Sequence, residues 1–425
     1  MRKGLFIIKS HIMITIIGII MVTGCSRTVK NKGENMAQEY KTGSYGYDRH
    51  FLEKNKIPVI ELKDTLSGGR VLIVPAYQGR VMTSSVNGNE GISFGWINYR
   101  HIESGKISSQ FNPFGGEERI WFGPEGGPFS IYFKEGEAQV FSNWKVPEVI
   151  DTEPFEVISR SSSEVSFRKE FDLVNASGNL FSAGIVRTVK LLDEKHIEEF
   201  LGLTMDASLS FVAYESENIL ENTGTTGWTE KTGTLSIWML SMFNPSPDAV
   251  VFIPYKSGST DELGPVVNDD YFGKVSSDRL IVRDNILFFR VDGRHRSKIG
   301  ISPSRALPIC GSYDPAVNTL TLLWYSFPGV PSKYLNSKWG DQDSPFSGDV
   351  VNSYNDGPVE DGSVMGPFYE IESSSPAAFL SPGEKLTHIQ RIYHLTGEPE
   401  RLSLVTEKLF NISVKEIVAT FNYRK

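Results

Sequence analysis

The chain has 425 residues, of which 40% are hydrophobic and 12% are aromatic, and its formal net charge is -8. A chain of this length and composition can bury a large apolar core. The negative balance and the lack of any run of Lys or Arg exclude a nucleic-acid partner, because binding to phosphates requires a basic face.

The first residues are typical of an exported lipoprotein. A basic start precedes an apolar run over residues 12–22, which is too short to remain as a membrane-spanning helix. The run leads into Gly24-Cys25, and the stretch 22–25 resembles the lipobox of bacterial lipoproteins. We expect residues 1–24 to be a signal peptide and Cys25 to carry a lipid that anchors the chain in the bacterial cell envelope, on the periplasmic face or in the outer membrane. The alternative is an ordinary secretory signal that ends near a cysteine.

The residues after Cys25 are polar and show no apolar periodicity, which predicts a flexible tether over residues 25–46. The only other cysteine is Cys310, so no internal disulfide is expected. Between Tyr47 and Lys425 we find no internal repeat and no strong linker. Length alone would allow two or three domains.

Short apolar runs recur along the rest of the chain and predict strands. They are rich in β-branched and aromatic residues and are bounded by Gly, Pro, Asn or Asp. Helical periodicity is not sustained over three turns, and only residues 402–412 predict a short helix. The expected fold is all-β and antiparallel. The predicted strands are residues 71–74, 129–133, 250–255, 286–291 and 320–325.

Two stretches near the C-terminus, 369–376 and 380–384, resemble the end of aldose 1-epimerases of the galactose mutarotase type. Residues 75–81 resemble the first core strands of the same superfamily. A wider match is to an uncharacterised family of bacterial secreted lipoproteins with the mutarotase-like fold. The resemblance implies a large galactose mutarotase-like β-supersandwich that forms one domain over residues 47–425. The stretches that carry the wider match are 115–127, 235–240 and 348–358.

The same resemblance places Glu372 at the position of the catalytic base, which removes the anomeric hydroxyl proton of a sugar. Glu370 lies two residues earlier, so on a strand it shares a face with Glu372. Paired carboxylates can separate each other's proton affinities, which suits acid and base roles. The alternative is that both are solvent-facing residues on an antiparallel edge. Mutarotases also use a histidine as general acid, and the corresponding region, residues 222–243, contains none.

A glycine-rich stretch over residues 115–127 combines carboxylates, a guanidinium and an indole. Sugar sites use this mixture, because aromatic faces pack on a pyranose while charged groups bond its hydroxyls. We expect Glu125 to be the second catalytic carboxylate. The alternative is a tight loop in which the arginine neutralises a glutamate. The expected ligand-binding residues here are Glu117, Glu118, Arg119 and Trp121.

A second polar cluster overlaps the turn signal Asn355-Asp356-Gly357-Pro358 and is therefore expected to lie on a loop that contacts the ligand, together with Glu370. Its spacing does not match the EF-hand, so no metal or other cofactor is predicted. An Asx-rich turn would explain some of these residues. The cluster consists of Asp349, Asn352, Tyr354, Asn355 and Asp356.

Two functions of different classes remain open. The first is an enzyme that acts on a sugar or glycan through Glu372 and Glu125. The second is a non-catalytic glycan-binding lipoprotein. Both expect a carbohydrate ligand and a membrane contact through the lipid, and neither fixes an oligomeric state.

Overall fold

Antiparallel β-sheet dominates the computed structural model, which describes residues 40–205, 208–359 and 361–422. The all-β prediction is therefore confirmed. The predicted signal peptide, Cys25 and the tether up to residue 39 lie outside the described residues. In the part of the chain that is described, no helix has the length and apolarity that a membrane span requires.

The strands are β1 Ile60–Lys63, β2 Arg70–Val74, β3 Arg80–Ser85, β4 Arg119–Gly123, β5 Glu156–Arg160, β6 Glu164–Val174, β7 Leu180–Leu191, β8 Ser210–Asn222, β9 Ser236–Phe243, β10 Val250–Pro254, β11 Leu280–Arg283, β12 Ile286–Arg290, β13 Ser297–Ile301, β14 Ile309–Asp314, β15 Thr319–Tyr325, β16 Val351–Asn355, β17 Tyr369–Ser374 and β18 Lys385–Thr396. The helices are α1 Tyr45–Lys54, α2 Tyr99–Ser104, α3 Glu148–Asp151, α4 Glu194–Leu201, α5 Thr260–Leu263, α6 Pro399–Phe410 and α7 Val414–Asn422, with short 3₁₀ turns at Pro75–Tyr77 and Gly88–Glu90.

The strands form three sheets, and the described residues from Tyr40 onward belong to one unit of mutual contacts. A three-stranded sheet has the order β1-β2-β3. A ten-stranded sheet has the order β11-β12-β10-β14-β15-β18-β8-β7-β6-β5. The five-stranded sheet that carries the site has the order β13-β16-β17-β9-β4, so β17 is its central strand.

The core lies between the five-stranded and ten-stranded sheets. Alternate side chains of β17 reach across it, because successive residues on a strand point to opposite faces. Ser373 donates a hydrogen bond to Gln390 on β18, and Tyr369 is hydrogen-bonded to Ser312 on β14. The other face of the ten-stranded sheet is covered by apolar side chains of α4, α6 and α7.

Four of the five predicted strands are confirmed as β2, β10, β12 and β15, and the helix predicted over residues 402–412 is confirmed as α6 up to Phe410. The strand predicted over residues 129–133 is wrong. Its backbone makes turn hydrogen bonds instead of a ladder, from Ser130 N to Gly127 O and from Ile131 N to Pro124 O. Ile131 is nevertheless buried, so the apolar run reflects burial of a loop rather than strand pairing.

A buried ion pair joins the two large sheets. The Glu118 carboxylate, just before β4, accepts hydrogen bonds from Arg187 Nη2 at 2.7 Å, Ser216 Oγ at 3.1 Å and Gln390 Nε2 at 2.8 Å. The side chains of Glu118 and Arg187 are both fully buried. A charge in this position is tolerated only because fixed donors replace the lost water.

Replacing Arg187 alone should destabilise the protein strongly. We expect Arg187→Met to lower the free energy of unfolding by about 3–5 kcal/mol, because it leaves the Glu118 carboxylate buried without its counter-charge. Denaturant unfolding measures the effect. The double variant Glu118→Gln/Arg187→Met removes the orphaned charge and should recover much of the loss. A single variant that loses less than about 1 kcal/mol would contradict this account.

Candidate functional site

The face of the five-stranded sheet that points away from the ten-stranded sheet is here called the outer face. Residues paired in register across neighbouring strands share a face. Glu372 on β17 pairs with Asn352 on β16 and with Leu240 on β9, which in turn pairs with Arg119 on β4. The outer face consists of Arg119, Trp121, Trp238, Leu240, Met242, Lys298, Gly300, Asn352, Tyr354, Glu370 and Glu372.

Glu372 is fully buried at the centre of this face. Its Oε2 accepts hydrogen bonds from Lys298 Nζ at 2.7 Å and from Trp238 Nε1 at 2.9 Å. Its Oε1 is buried and has no hydrogen-bond partner. One carboxylate oxygen is therefore held in place while the other remains an unused acceptor.

Glu370 lies two positions before Glu372 and accepts a hydrogen bond from Arg119 Nη2 at 3.2 Å. The Arg119 guanidinium also lies 4.3 Å from the centroid of the Trp121 ring, a cation–π geometry. Burial raises the pKa of Glu370 to about 7, aided by the charge of Glu372 and opposed by Arg119. Arg119 Nε, Arg119 Nη1 and Trp121 Nε1 are buried without partners.

Glu125 lies two residues after β4, in the segment 124–147. Burial raises the pKa of its carboxyl group and the charge of Glu372 adds to this, whereas Lys298, Trp339 and Trp144 oppose it. The structure thus brings Glu125 and Glu372 into electrostatic contact with each other and with one ammonium group. Glu125 remains partly exposed, whereas Glu372 is not.

Four indoles frame the carboxylates. The centroid of the Trp121 ring lies 5.7 Å from that of Trp238 and 6.4 Å from that of Trp144. Trp144 in turn lies 6.3 Å from Trp339. Aromatic rings beside carboxylates and cations are the mixture that a sugar requires, because one face of a pyranose is apolar while its rim carries hydroxyls.

A polar group borders Glu372 on the β16 side. Asp349 accepts hydrogen bonds from Tyr271 Oη at 2.5 Å and from Asn268 Nδ2 at 3.1 Å, and Asn352 Nδ2 donates to Tyr271 Oη at 3.1 Å. Burial raises the pKa of Asp349, opposed by the Tyr271 hydrogen bond. Gly300 leaves room for this group, since a Cβ there would lie 2.1 Å from an Asp349 oxygen.

Not every residue singled out in the sequence lies on the outer face. Glu117 is fully buried between the sheets, where its Oε1 lies 2.8 Å from Ser84 Oγ and 3.0 Å from His394 Nε2. Glu118 faces the ten-stranded sheet, as described above. Asn355 Oδ1, at the end of β16, accepts a hydrogen bond from Gly293 N, and Asp356 accepts a hydrogen bond from Tyr354 Oη.

Two local expectations are wrong. The second polar cluster is not a loop throughout, because Asn352, Tyr354 and Asn355 lie on β16, which pairs on both sides with β13 and β17. The alternative that Glu370 and Glu372 are solvent-facing edge residues also fails, because β17 is the central strand and both are buried. Lys298 and Tyr271 are members of the site that the sequence analysis missed.

The described histidines that are buried point away from the outer face. His388 bonds Ser373 and Ser326, and burial lowers its pKa to about 3. His394 bonds Glu117 and Thr321 between the sheets. Across residues 40–205, 208–359 and 361–422, no three His, Cys, Asp or Glu side chains are grouped as metal ligands.

Residues 43–421 match the model of a protein family described as a family of unknown function (DUF6786). No curated protein matches the sequence. Similar solved structures include the Slr1438 protein of Synechocystis sp. PCC 6803, with 13% identity, a TM-score of 0.48, and coverage of 80% of this chain and 96% of that one. A putative aldose 1-epimerase of Escherichia coli K12 has 9% identity and a TM-score of 0.45, and the match covers 80% of this chain and 99% of that one. A galactose mutarotase-like protein of Lactobacillus casei has 11% identity and a TM-score of 0.44, with coverage of 79% and 100%. At these values the likeness carries no argument about activity.

The raised pKa of Glu370 predicts a pH-dependent stability. Its pKa rises from 4.5 to about 7 on folding, so between these values the folded protein holds a proton that the unfolded chain has lost. The free energy of unfolding should therefore fall as the pH rises through this window, by roughly 3 kcal/mol from this group.

Glu370→Gln should remove this part of the fall, whereas Glu407→Gln, at an exposed position on α6, should not. Denaturant unfolding at a series of pH values compares the three proteins. Identical pH profiles for the native protein and Glu370→Gln would show that burial does not perturb this carboxyl group.

Proposed function

We propose that this chain, which belongs to the family of unknown function matched over residues 43–421, is a carbohydrate-processing lipoprotein of the bacterial cell envelope. Its sugar site is the outer face of the five-stranded sheet. The observation that carries this proposal is the pair Glu125 and Glu372, which share Lys298 and are surrounded by indoles.

The two carboxylates differ in a way that suits acid and base roles. Glu125 is partly exposed and has a raised pKa, so it can hold a proton and donate it to a sugar oxygen. Glu372 offers Oε1 as a free acceptor, while Lys298 and Trp238 fix Oε2. Proton transfer of this kind serves epimerisation, hydrolysis or elimination at a sugar carbon.

The remaining polar groups would orient the ligand. Arg119 has two unused nitrogens and Trp121 one, and a buried donor without a partner costs stability unless a ligand completes it. Sugar hydroxyls are both donors and acceptors, so they can satisfy these nitrogens and Glu372 Oε1 together.

The alternative is that the same face binds a glycan without turnover. One observation favours it: the buried histidines His388 and His394 lie on the opposite side of the sheet, so the acid of the mutarotase pattern has no counterpart on the described outer face. Binding would then use the indoles and Arg119, and Glu372 would act only as an acceptor.

Glu372→Gln separates the two functions. If the protein is an enzyme, turnover should fall by about 10²-fold or more with little change in affinity, because the amide keeps the shape but cannot take up a proton. NMR of the anomeric protons of a sugar found in a binding screen measures both quantities. Glu217→Gln on β8 is the matched control and should retain full activity. Activity that survives Glu372→Gln would place the chemistry elsewhere.

In the enzyme, the raised pKa of Glu125 also sets the direction of the pH dependence. A general acid is lost when it ionises, so turnover should decline as the pH rises through the pKa of Glu125. Glu125→Gln should lower turnover and remove this decline. A decline that persists in the variant would assign the acid role to another group.

The lipid anchor on Cys25 is the second part of the proposal, and the lipobox-like stretch 22–25 supports it. We expect the native protein to partition with membranes and Cys25→Ser to become soluble. The variant has no thiol to carry the acyl chains that stable anchoring requires. Mass spectrometry of the mature N-terminus should show acylation. A Cys25→Ser protein that still partitions with membranes would contradict the anchor.

A further inference from the structure

Three aromatic side chains beside the site, Phe141, Trp144 and Trp339, are here called the aromatic strip. The Trp144 ring is nearly parallel to both neighbours, at 17° to Phe141 with centroids 6.0 Å apart and at 25° to Trp339 with centroids 6.3 Å apart. Phe141 is 66% exposed and Trp339 is 37% exposed. Large aromatic side chains left exposed together mark a binding surface rather than a core.

The aromatic strip is continuous with the proposed catalytic pair. Glu125 N donates a hydrogen bond to Ser337 Oγ at 3.3 Å, two residues before Trp339. Both Trp339 and Trp144 help to lower the pKa of the Glu125 carboxyl group against its burial. Trp144 also contacts Trp121 on the outer face. The strip therefore begins at the acid and leads away from it, instead of forming a separate patch.

Hydrogen bonds join the loop that carries Trp339 to segment 124–147, which carries Glu125, Phe141 and Trp144. Gln139 Oε1 accepts hydrogen bonds from Gly127 N at 2.9 Å and from Gly340 N at 2.7 Å, and Gln139 Nε2 donates to Gly127 O at 2.7 Å. One side chain thus joins segment 124–147 to the loop that carries Trp339. Gly126 allows this approach, because a Cβ there would lie 2.3 Å from Lys338 O.

Trp144 also forms part of the wall of a cavity of about 790 Å³. Tyr132 lies in the same wall, with its ring at 7° to that of Trp144. Mostly charged side chains complete the lining, among them Glu137 and Lys145. Rings beside carboxylates and ammonium groups suit a sugar, which presents an apolar face and hydroxyls to the same surface.

We propose that the ligand of this protein is a glycan chain of more than one sugar unit, which extends from Glu125 along the aromatic strip. This rests on the proposed function of the outer face and specifies its substrate class. A free monosaccharide bound at Glu125 and Glu372 would leave the exposed Phe141 ring without a role. A chain places its further units against the aromatic strip.

The test uses the full chain in mild detergent and four ladders of sugars of increasing length, from cello-, malto-, xylo- and chito-oligosaccharides. Titration calorimetry measures affinity for each member. Phe141→Ala should weaken binding of the longer members by about tenfold and leave the single sugar unaffected, because only added units meet Phe141. Trp339→Ala should weaken binding of the longer members as well. Trp339→Phe should keep most of the affinity. Leu404→Ala, an exposed apolar residue on α6, is the control.

Each outcome decides the proposal. Affinity that rises with length and falls in the two alanine variants supports it. A single sugar that binds as tightly as its longest chain, or alanine variants that bind chains normally, overturns it while the proposed function stands. Absence of binding to any sugar of any length overturns both. The Phe141→Ala protein is also compared with the native protein for self-association and for capture of other proteins. If either falls in the variant while sugar binding is unchanged, the strip is a protein contact and the proposal is overturned.

Discussion

The buried carboxylate of Glu118 constrains where the site residues lie. A charge enclosed between two sheets requires fixed donors, and Arg187, Ser216 and Gln390 supply them from three adjacent strands of the ten-stranded sheet. These bonds hold the residue immediately before β4, and the first side chain of that strand, Arg119, lies on the outer face. On β17, Ser373 points inward and bonds His388 and Gln390, so its neighbour Glu372 points outward, because successive residues on a strand point to opposite faces.

The outer face carries more charge than packing requires. Glu370 and Glu372 are buried beside each other; an ion pair with Arg119 offsets the loss of water at Glu370, and an ion pair with Lys298 and a hydrogen bond from Trp238 offset it at Glu372. One partner of each ion pair, Arg119 and Glu372, keeps buried polar atoms without a hydrogen bond. Natural sequences break local rules of this kind mainly at functional sites, where a ligand completes what the fold leaves open. These unsatisfied groups mark the outer face as the candidate site, whereas the fold alone indicates no particular activity.

Much of the fold follows from local patterns, and the failures have physical causes. β2, β10, β12 and β15 are short apolar runs in buried strands, which the sequence signals directly. Residues 129–133 have the same apolar composition, but in that segment the apolar residues reflect burial of a loop and not strand pairing. Helix α7 spans nine residues and packs against α6 and the ten-stranded sheet, so its stability comes from tertiary contacts more than from its own periodicity.

The shared face of Glu370 and Glu372 was predictable, because both residues lie on one strand. Contacts between strands from distant segments of the chain were not. Glu117 and Glu118 looked like partners of Arg119, yet the strand begins only at Arg119, so no alternation in the glycine-rich stretch reveals which side each faces. Lys298 alternates with apolar residues on β13 and reads as an ordinary exposed lysine. It reaches Glu372, 74 residues later in the chain, only because β16 aligns β13 with β17. The ion pair of Lys298 with Glu372 is thus a product of sheet register, which no local spacing encodes.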